Sequence, residues 1–140
     1  MNKISKFDFK GYKLLKANFS HTTEAPVTSF TLLAQKANYL ESNRIYELLA
    51  EITYTYGEEM NACLFSVGFQ INDLEWLEVM AEQTVVNELF RIAFPFLRAK
   101  IVEFTSDFRQ GLLLPVIDLT NFDVTKKIVF NINKVEPMTN

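Results

Sequence analysis

"RIYELLAEITYTYGEEMNACLFSVGFQI", residues 44–71, is the stretch that decides the fold. In residues 46–56 every even position carries an apolar or tyrosine side chain, and most odd positions carry Glu or Thr. Because successive side chains of a strand point to opposite faces, this run has one apolar face and one polar face. After Gly57, a second run places alternate apolar residues on one face: Cys63, Phe65, Val67, Phe69 and Ile71. Two alternating runs around a glycine turn predict an antiparallel hairpin.

The segments on the N-terminal side of the hairpin favour two further strands. They are "GYKLLKANFSHT", residues 11–22, and "VTSFTLLAQKANYL", residues 27–40, with Pro26 between them. Four consecutive strands with short turns predict a meander-like antiparallel sheet. Such a sheet packs one face against a core and presents the other face to water or to another subunit.

From about residue 72 the apolar period changes from that of a strand to that of a helix. Apolar side chains fall at i, i+4, i+7 and i+11, which is one side of a helix. These residues are Leu97, Ile101, Phe104 and Phe108. Gly111 is a suitable C-terminal stop. The sequence therefore predicts a long amphipathic helix after the strands.

Pro95 lies inside this helical pattern, in "RIAFPFLR", residues 91–98. Proline has no N–H to donate to the carbonyl of Arg91, and its ring crowds that carbonyl. Two outcomes are compatible with the sequence: a single helix that is kinked at Pro95, or a second helix that begins near it. Either outcome places Phe94 and Phe96 near a bend.

The last third of the chain gives mixed signals. "QGLLLPVIDLTNF", residues 110–122, is apolar, yet its glycine, proline and asparagine argue against a continuous helix and favour a loop. Further on, Ile128, Phe130 and Ile132 alternate as in a strand. The preceding "NFDVTKK", residues 121–127, offers caps for the start of a helix instead. The sequence does not decide between a strand and a helix for this segment.

The composition is that of one globular domain, residues 1–140, with 49% hydrophobic and 22% charged residues. The net charge of −3 and the lack of a basic run argue against binding to nucleic acid or to an anionic membrane. The N-terminus lacks the apolar region of a signal peptide, and no stretch approaches the ~18 apolar residues of a membrane helix. We therefore expect a cytoplasmic protein that does not insert into a membrane.

The residues that carry chemistry are few. His21 is the only histidine and lies in a polar stretch, where neither a catalytic triad nor a histidine-based metal site has partners. Cys63 is the only cysteine, so no intrachain disulfide is possible, and its apolar neighbours favour an inert core thiol. Glu47 and Glu51 share a strand face without forming a recognisable acid/base pair. We expect no catalytic residues, no metal and no cofactor.

The apolar residues around Pro95 and after Gly111 are more numerous than a solvent loop needs. In one interpretation they cap the core of the sheet. In the other they form an apolar groove that a loop covers, since exposed apolar patches mark binding surfaces. The 13 phenylalanines of the chain suit an interface as well as a core.

This region resembles the export chaperone family SecB. "ELFRIAFPFLRAKIVEFTSDFRQGLLLPVIDLTNFD", residues 88–123, is similar to the family's stretch around "LFPYARE" and to the "P-x-L-x-L-x-P-V-N-F" segment that follows it. Upstream, residues 46–59 are similar to the family's "YEV-x-L-x-V-x-V" strand and its turn. The resemblance covers roughly residues 10–122. The matched residues of the first stretch are Phe94, Pro95, Phe96, Arg98, Leu112, Leu114, Pro115, Val116, Asn121 and Phe122.

The resemblance implies an α+β fold: a four-stranded antiparallel sheet followed by a long helix, a lid loop and a short C-terminal element, which is a helix in the family. It also implies a homotetramer, built as a dimer of dimers with sheets or helices packed between protomers. The implied function is that of an ATP-independent holdase, which keeps unfolded polypeptides competent for export.

The client-binding groove expected from the apolar residues and the resemblance has eight members. They are Phe65, Phe69, Phe94, Phe96, Leu112, Leu113, Leu114 and Phe122. SecA is the family's motor partner, but this chain has Lys16 and Ser20 where the family carries acidic residues in its first strand. The alternative is a dedicated chaperone for the antitoxin of a toxin–antitoxin system. A small-molecule-binding domain or enzyme that uses the same pocket is the third interpretation.

Overall fold

The computed structural model describes residues 5–18, 27–56, 59–105 and 117–131. Within these residues the chain is α+β, with one antiparallel sheet and a long helix that follows the first four strands. The elements in chain order are β1 (Phe7–Asn18), β2 (Val27–Leu40), β3 (Ile45–Tyr56), β4 (Glu59–Ile71), α1 (Leu74–Val79), α2 (Glu82–Thr105) and β5 (Ile128–Asn131).

The predicted hairpin is confirmed by β3 and β4. The two strands pair antiparallel, from Ile45 opposite Gln70 to Tyr56 opposite Glu59. β2 pairs antiparallel with the other side of β3. β3 is thus flanked on both sides, and its alternating pattern gave the clearest strand signal in the sequence.

The position of β1 differs from the predicted meander. The order across the sheet is β1-β4-β3-β2-β5, so β1 pairs with β4 and not with β2. Three consecutive strands and a fourth that returns beside them form a Greek-key arrangement. Two rings of β1 favour this place, because Phe7 and Phe9 pack against Phe69 of β4 with ring centroids 5.7 and 5.5 Å apart.

Two β-bulges adapt β1 to the edge of the sheet. The register shifts between Phe9 and Gly11 and again between Leu14 and Lys16. Gly11 has a φ of 132°, a backbone conformation that L side chains rarely adopt, so the first bulge depends on glycine. Bulges and charged side chains also protect an open strand edge from pairing with another chain.

The core lies between α2 and one face of the sheet, which we call the inner face. The alternation predicted for the hairpin places its apolar set on this face, and α2 covers it with the side of the helix that carries Leu97 and Ile101. The largest fully buried side chains come from both layers: Phe30, Leu32, Leu48, Ile52, Tyr54, Phe65, Phe69, Ile71, Leu89, Phe90, Leu97 and Ile101.

The helical region has two helices instead of one. The short α1 begins after Asp73, whose Oδ1 accepts a hydrogen bond from the Trp76 N–H at 3.0 Å. Met80 leaves the helix with an extended backbone, and α2 then begins at Glu82. Pro95 lies inside α2, so the helix continues through the proline and no new helix begins there.

The C-terminal part of the described chain settles the alternative that the sequence left open. Ile128 to Asn131 form β5, which pairs antiparallel with β2 and adds a fifth strand to the predicted four. The alternation of Ile128 and Phe130 was therefore the informative signal. Phe130 stacks on Phe30 with ring centroids 5.0 Å apart, which explains why this segment joins the sheet.

Residues 117–127, which we call the strap, cross from α2 to the β2 edge without regular structure. Asn87 of α2 holds the strap: its Oδ1 accepts from the Val124 N–H at 2.7 Å, and its Nδ2 donates to Asp123 at 2.9 Å and to the Gln83 carbonyl at 2.9 Å. The Val124 carbonyl in turn accepts from the Ala34 N–H at 2.8 Å. The strap is therefore fastened to both layers of the fold.

Replacement of Asn87 tests this fastening. Asn87→Ala removes three hydrogen bonds and leaves the buried Val124 N–H without that acceptor, so we expect the free energy of unfolding to fall by about 1–3 kcal/mol. Urea denaturation followed by circular dichroism measures the change. Glu88→Ala, at the neighbouring half-exposed position, is the matched control and should change the value by less than ~0.5 kcal/mol. Equal losses in the two variants would contradict the role of Asn87.

The pH dependence of stability tests the Asp123 carboxylate. Hydrogen bonds from the Thr125 hydroxyl and then from Asn87 lower the pKa of Asp123 below its usual value. Its stabilising contribution is therefore present above the unfolded-state pKa of ~3.9 and is lost as the pH falls through the lower folded-state pKa. The difference in unfolding free energy between the wild type and Asp123→Asn should be constant near neutral pH and shrink below about pH 4. A difference that does not change with pH would contradict this assignment.

Candidate functional site

Three of the eight residues predicted for the groove lie in the core. Phe65 and Phe69 are fully buried on the inner face of β4, and Phe94 is 3% exposed on the inward side of α2. The same alternation that predicted the strand places Phe65 and Phe69 beneath the helix. As lining residues of an open groove these three are a correction, because in this chain their rings are not accessible to a client.

The other predicted residues are not gathered in one place. Phe96 is 50% exposed and Phe122 is 40% exposed, whereas Leu112, Leu113 and Leu114 lie outside the described residues. Phe96 stacks on Phe9 of β1, and Phe122 meets Phe130 of β5 with ring centroids 5.2 Å apart. β1 and β5 are the two outermost strands of the sheet, so Phe96 and Phe122 lie at opposite edges and do not form one groove.

The exposed side of α2 carries a second set of apolar residues. Ile92 is 45% exposed and Phe96 is 50% exposed, and Pro95 and Ala99 are exposed as well. These positions are spaced i, i+3, i+4 and i+7, so they form one continuous stripe on the outer side of the helix. A surface helix normally carries polar residues there, because only its inward side is buried. The second half of α2 is therefore apolar on both sides.

An aromatic stack fixes Phe96 in place. Phe96 and Phe9 have ring centroids 4.8 Å apart and are nearly parallel, at 21°. Phe9 in turn packs against Phe69 at 5.5 Å, and against Tyr12 at 6.5 Å. Since Phe69 is fully buried, the stack runs from the core to the surface. Phe96 therefore presents a half-exposed ring that Phe9 supports.

We define the α2–β1 patch as the surface that the outer stripe of α2 shares with β1. Its members are Phe9, Tyr12, Ile92, Pro95, Phe96 and Ala99. Reasoning from the sequence found Phe96 but missed Phe9 and Ile92. Phe9 was missed because the first strand was predicted to begin at Gly11, although Phe7 and Phe9 already alternate with charged residues in "FDFKGY", residues 7–12.

A surface ion pair lies near the patch. Lys100 donates to the Glu103 carboxylate at 2.9 Å, and this hydrogen bond raises the pKa of Lys100. Elsewhere, burial raises the pKa of the Cys63 thiol to about 11, so the thiol is protonated at neutral pH. Within the described residues, no three His, Cys, Asp or Glu side chains lie together as ligands for a metal ion.

No helix in the described ranges is both long and apolar enough to cross a bilayer.

Comparison with known proteins does not assign a function to this chain. No family model and no curated protein matches the chain. Among solved structures, the crystal structure of a protein of unknown function from Streptococcus agalactiae is similar over 80% of this chain and 94% of that chain, with 17% sequence identity and a TM-score of 0.38. A similarity of this size carries no functional argument.

Proposed function

We propose that the protein is an ATP-independent holdase of the SecB-like class, which binds unfolded polypeptides in the cytoplasm and keeps them competent for export. One observation carries the proposal: α2 has an exposed apolar stripe in addition to the apolar side that it buries in the core. About half of the Ile92 and Phe96 side chains remains exposed in the single chain. Apolar surface that the fold leaves exposed suits a binding partner that is itself apolar.

The chemistry of the patch fits an unfolded client. Each large apolar side chain contributes ~1.5–3 kcal/mol when it is buried, so a few client residues on Phe9, Ile92 and Phe96 give useful affinity after ordering costs. The contacts are non-directional, and the affinity therefore tolerates many client sequences. Because Phe9 holds the Phe96 ring, the protein orders little of its own structure on binding.

We also propose that the protein assembles as a homotetramer. Two surfaces of the described chain are open to other copies: the α2–β1 patch and the outer face of the sheet. On that outer face Leu33, Leu49 and Leu64 are half-buried. In a dimer of dimers, contacts between copies cover part of this apolar surface and leave the remainder to clients.

Replacement of Phe96 tests the holdase directly. Phe96→Asp places a charge in the patch and removes the stack on Phe9, so stoichiometric protein should suppress the aggregation of chemically denatured rhodanese much less than the wild type does. Light scattering during dilution of the denatured client measures the effect. Val129→Asp, at a 63% exposed position of the edge strand β5, is the matched control and should suppress aggregation as the wild type does.

Two further measurements make this result decisive. Circular dichroism shows whether each variant is folded; loss of the Phe9–Phe96 pair should cost only about 0.5–1.5 kcal/mol beyond the area effect. Multi-angle light scattering gives the mass of each variant, which separates a lost client site from a lost assembly. If wild-type protein does not slow the aggregation, or if a folded Phe96→Asp variant of unchanged mass slows it as well as the wild type, the proposal is wrong.

A dedicated chaperone for an antitoxin is the second candidate, and the charge of β1 favours it over a general export role. Lys13 and Lys16 are exposed on β1, and Lys16 stands where the SecB family carries acidic residues expected to dock SecA. Isolation of the protein with its bound clients from native cells separates the two. One dominant client indicates the dedicated role, and many precursor proteins indicate the general one.

A further inference from the structure

The outer face of the sheet, on the side away from α2, is not covered by any segment that the structure describes. Both helices and the strap place their buried side chains in the core on the inner face. An antiparallel sheet that packs one face against a core can present its other face to another subunit. The outer face is therefore a candidate interface, and its charges indicate the partner.

Residues of opposite charge lie on the two sides of β4 on this face. Lys16 of β1 and Glu51 of β3 are both paired with Leu64 of β4, so they flank it from opposite sides. Neighbouring strands are ~4.7–4.9 Å apart, which separates the two backbones by about 10 Å. In the part of the chain that the structure describes, neither Lys16 nor Glu51 forms a salt bridge. Asp8, at the start of β1, differs because it already accepts a hydrogen bond from Asn72 at 3.0 Å.

The neighbouring rows of the sheet repeat this arrangement. Lys13 of β1 and Glu47 of β3 also lie on the outer face. β1 thus carries a positive pair, Lys13 and Lys16, and β3 carries a negative pair, Glu47 and Glu51. Between them, the outward residues of β4 from position 62 to position 70 are all uncharged.

This charge pattern is complementary to itself. If two copies face each other about a twofold axis that runs along β4, then β4 lies over β4, and β1 lies over β3 of the other copy. In such an interface each contact occurs twice, because residue i meets residue j and residue j meets residue i. The positive pair of each copy therefore meets the negative pair of the other.

Gly68 of β4 allows the two sheets to approach each other closely. A glycine inside a strand weakens the strand and often marks a place where another backbone comes near. Gly68 does not have a positive φ, and a Cβ added there would meet no heavy atom within 4 Å. The fold of the single chain therefore gives no steric reason for glycine at this position, whereas a facing sheet does.

We propose that two copies of the chain pack outer face against outer face about a twofold axis along β4, so that Lys16 of each copy pairs with Glu51 of the other and the two Leu64 side chains meet. Packed sheets are ~10 Å apart, a distance that a lysine and a glutamate side chain span together. The inference rests on the proposed function for the assembly to which it belongs, because a dimer of dimers needs two kinds of contact between copies and this is one of them.

Charge reversal tests the contact in the full-length protein. Lys16→Glu and Glu51→Lys each place like charges opposite one another at both copies of the contact. We expect each variant to raise the dissociation constant of the contact about hundredfold, so that light scattering over a dilution series gives half the wild-type mass. Glu78→Lys, at an exposed position of α1, changes the net charge equally and should keep the wild-type mass. A wild-type protein that is monomeric throughout the series, or reversed variants of wild-type mass, would overturn the inference.

A mixture of the two variants gives the sharper result, because only a contact between copies can be restored in this way. When a Lys16→Glu chain faces a Glu51→Lys chain, both contacts again join opposite charges. The equimolar mixture should therefore regain the wild-type mass, and so should the double variant that carries both changes. If neither regains it, Lys16 and Glu51 do not meet across a twofold axis and the inference is wrong.

Gly68→Tyr tests the close approach without a change of charge. The added side chain meets no atom of its own chain, and tyrosine favours strands, so the urea midpoint should be unchanged or higher. In the assembly the two added rings occupy the space between the sheets, and the mass should fall by half. A Gly68→Tyr variant that keeps the wild-type mass contradicts the proposed packing.

The same variants separate this inference from the holdase proposal. If the charge variants change the mass as expected but the wild type does not suppress aggregation, the holdase is wrong and the interface stands. If the wild type suppresses aggregation but no charge variant changes the mass, the interface is wrong and the holdase stands.

Discussion

Helix α2 lies across the inner face of the sheet, and the apolar contact between these two layers is the interaction on which the rest of the structure depends. Phe65, Phe69, Leu97 and Ile101 are all fully buried in this contact. Each such side chain contributes ~1.5–3 kcal/mol, so a few of them outweigh the ~3 kcal/mol that a proline costs inside a helix. This explains why α2 continues through Pro95.

The same contact leaves the outer side of α2 outside the core. A surface helix normally carries polar residues there, yet Ile92 and Phe96 are apolar and about half exposed. Phe96 is also held by Phe9, which rests on the buried Phe69. A ring that is both exposed and supported is preorganised for contact with a partner, because little conformational entropy remains to be lost on binding.

The sequence predicted the elements better than their arrangement. β3 and β4 were predictable because period-two alternation is a local signal, and the inward stripe of α2 was predictable for the same reason. The place of β1 was not, since pairing with β4 depends on contacts such as Phe9 with Phe69, which are far apart in the chain. The start of β5 was ambiguous because Asn121 and Asp123 resemble helix caps, whereas Asp123 in fact hydrogen-bonds Asn87 and Thr125 of the fastened strap.

The candidate site was likewise only partly predictable from the sequence. Phe65, Phe69 and Phe94 were predicted as groove residues because they are aromatic. They are buried because each lies on the side of its strand or helix that faces the core. Phe96 was predicted as a groove residue because it flanks Pro95, and it is 50% exposed because it lies on the side of α2 that faces away from the core.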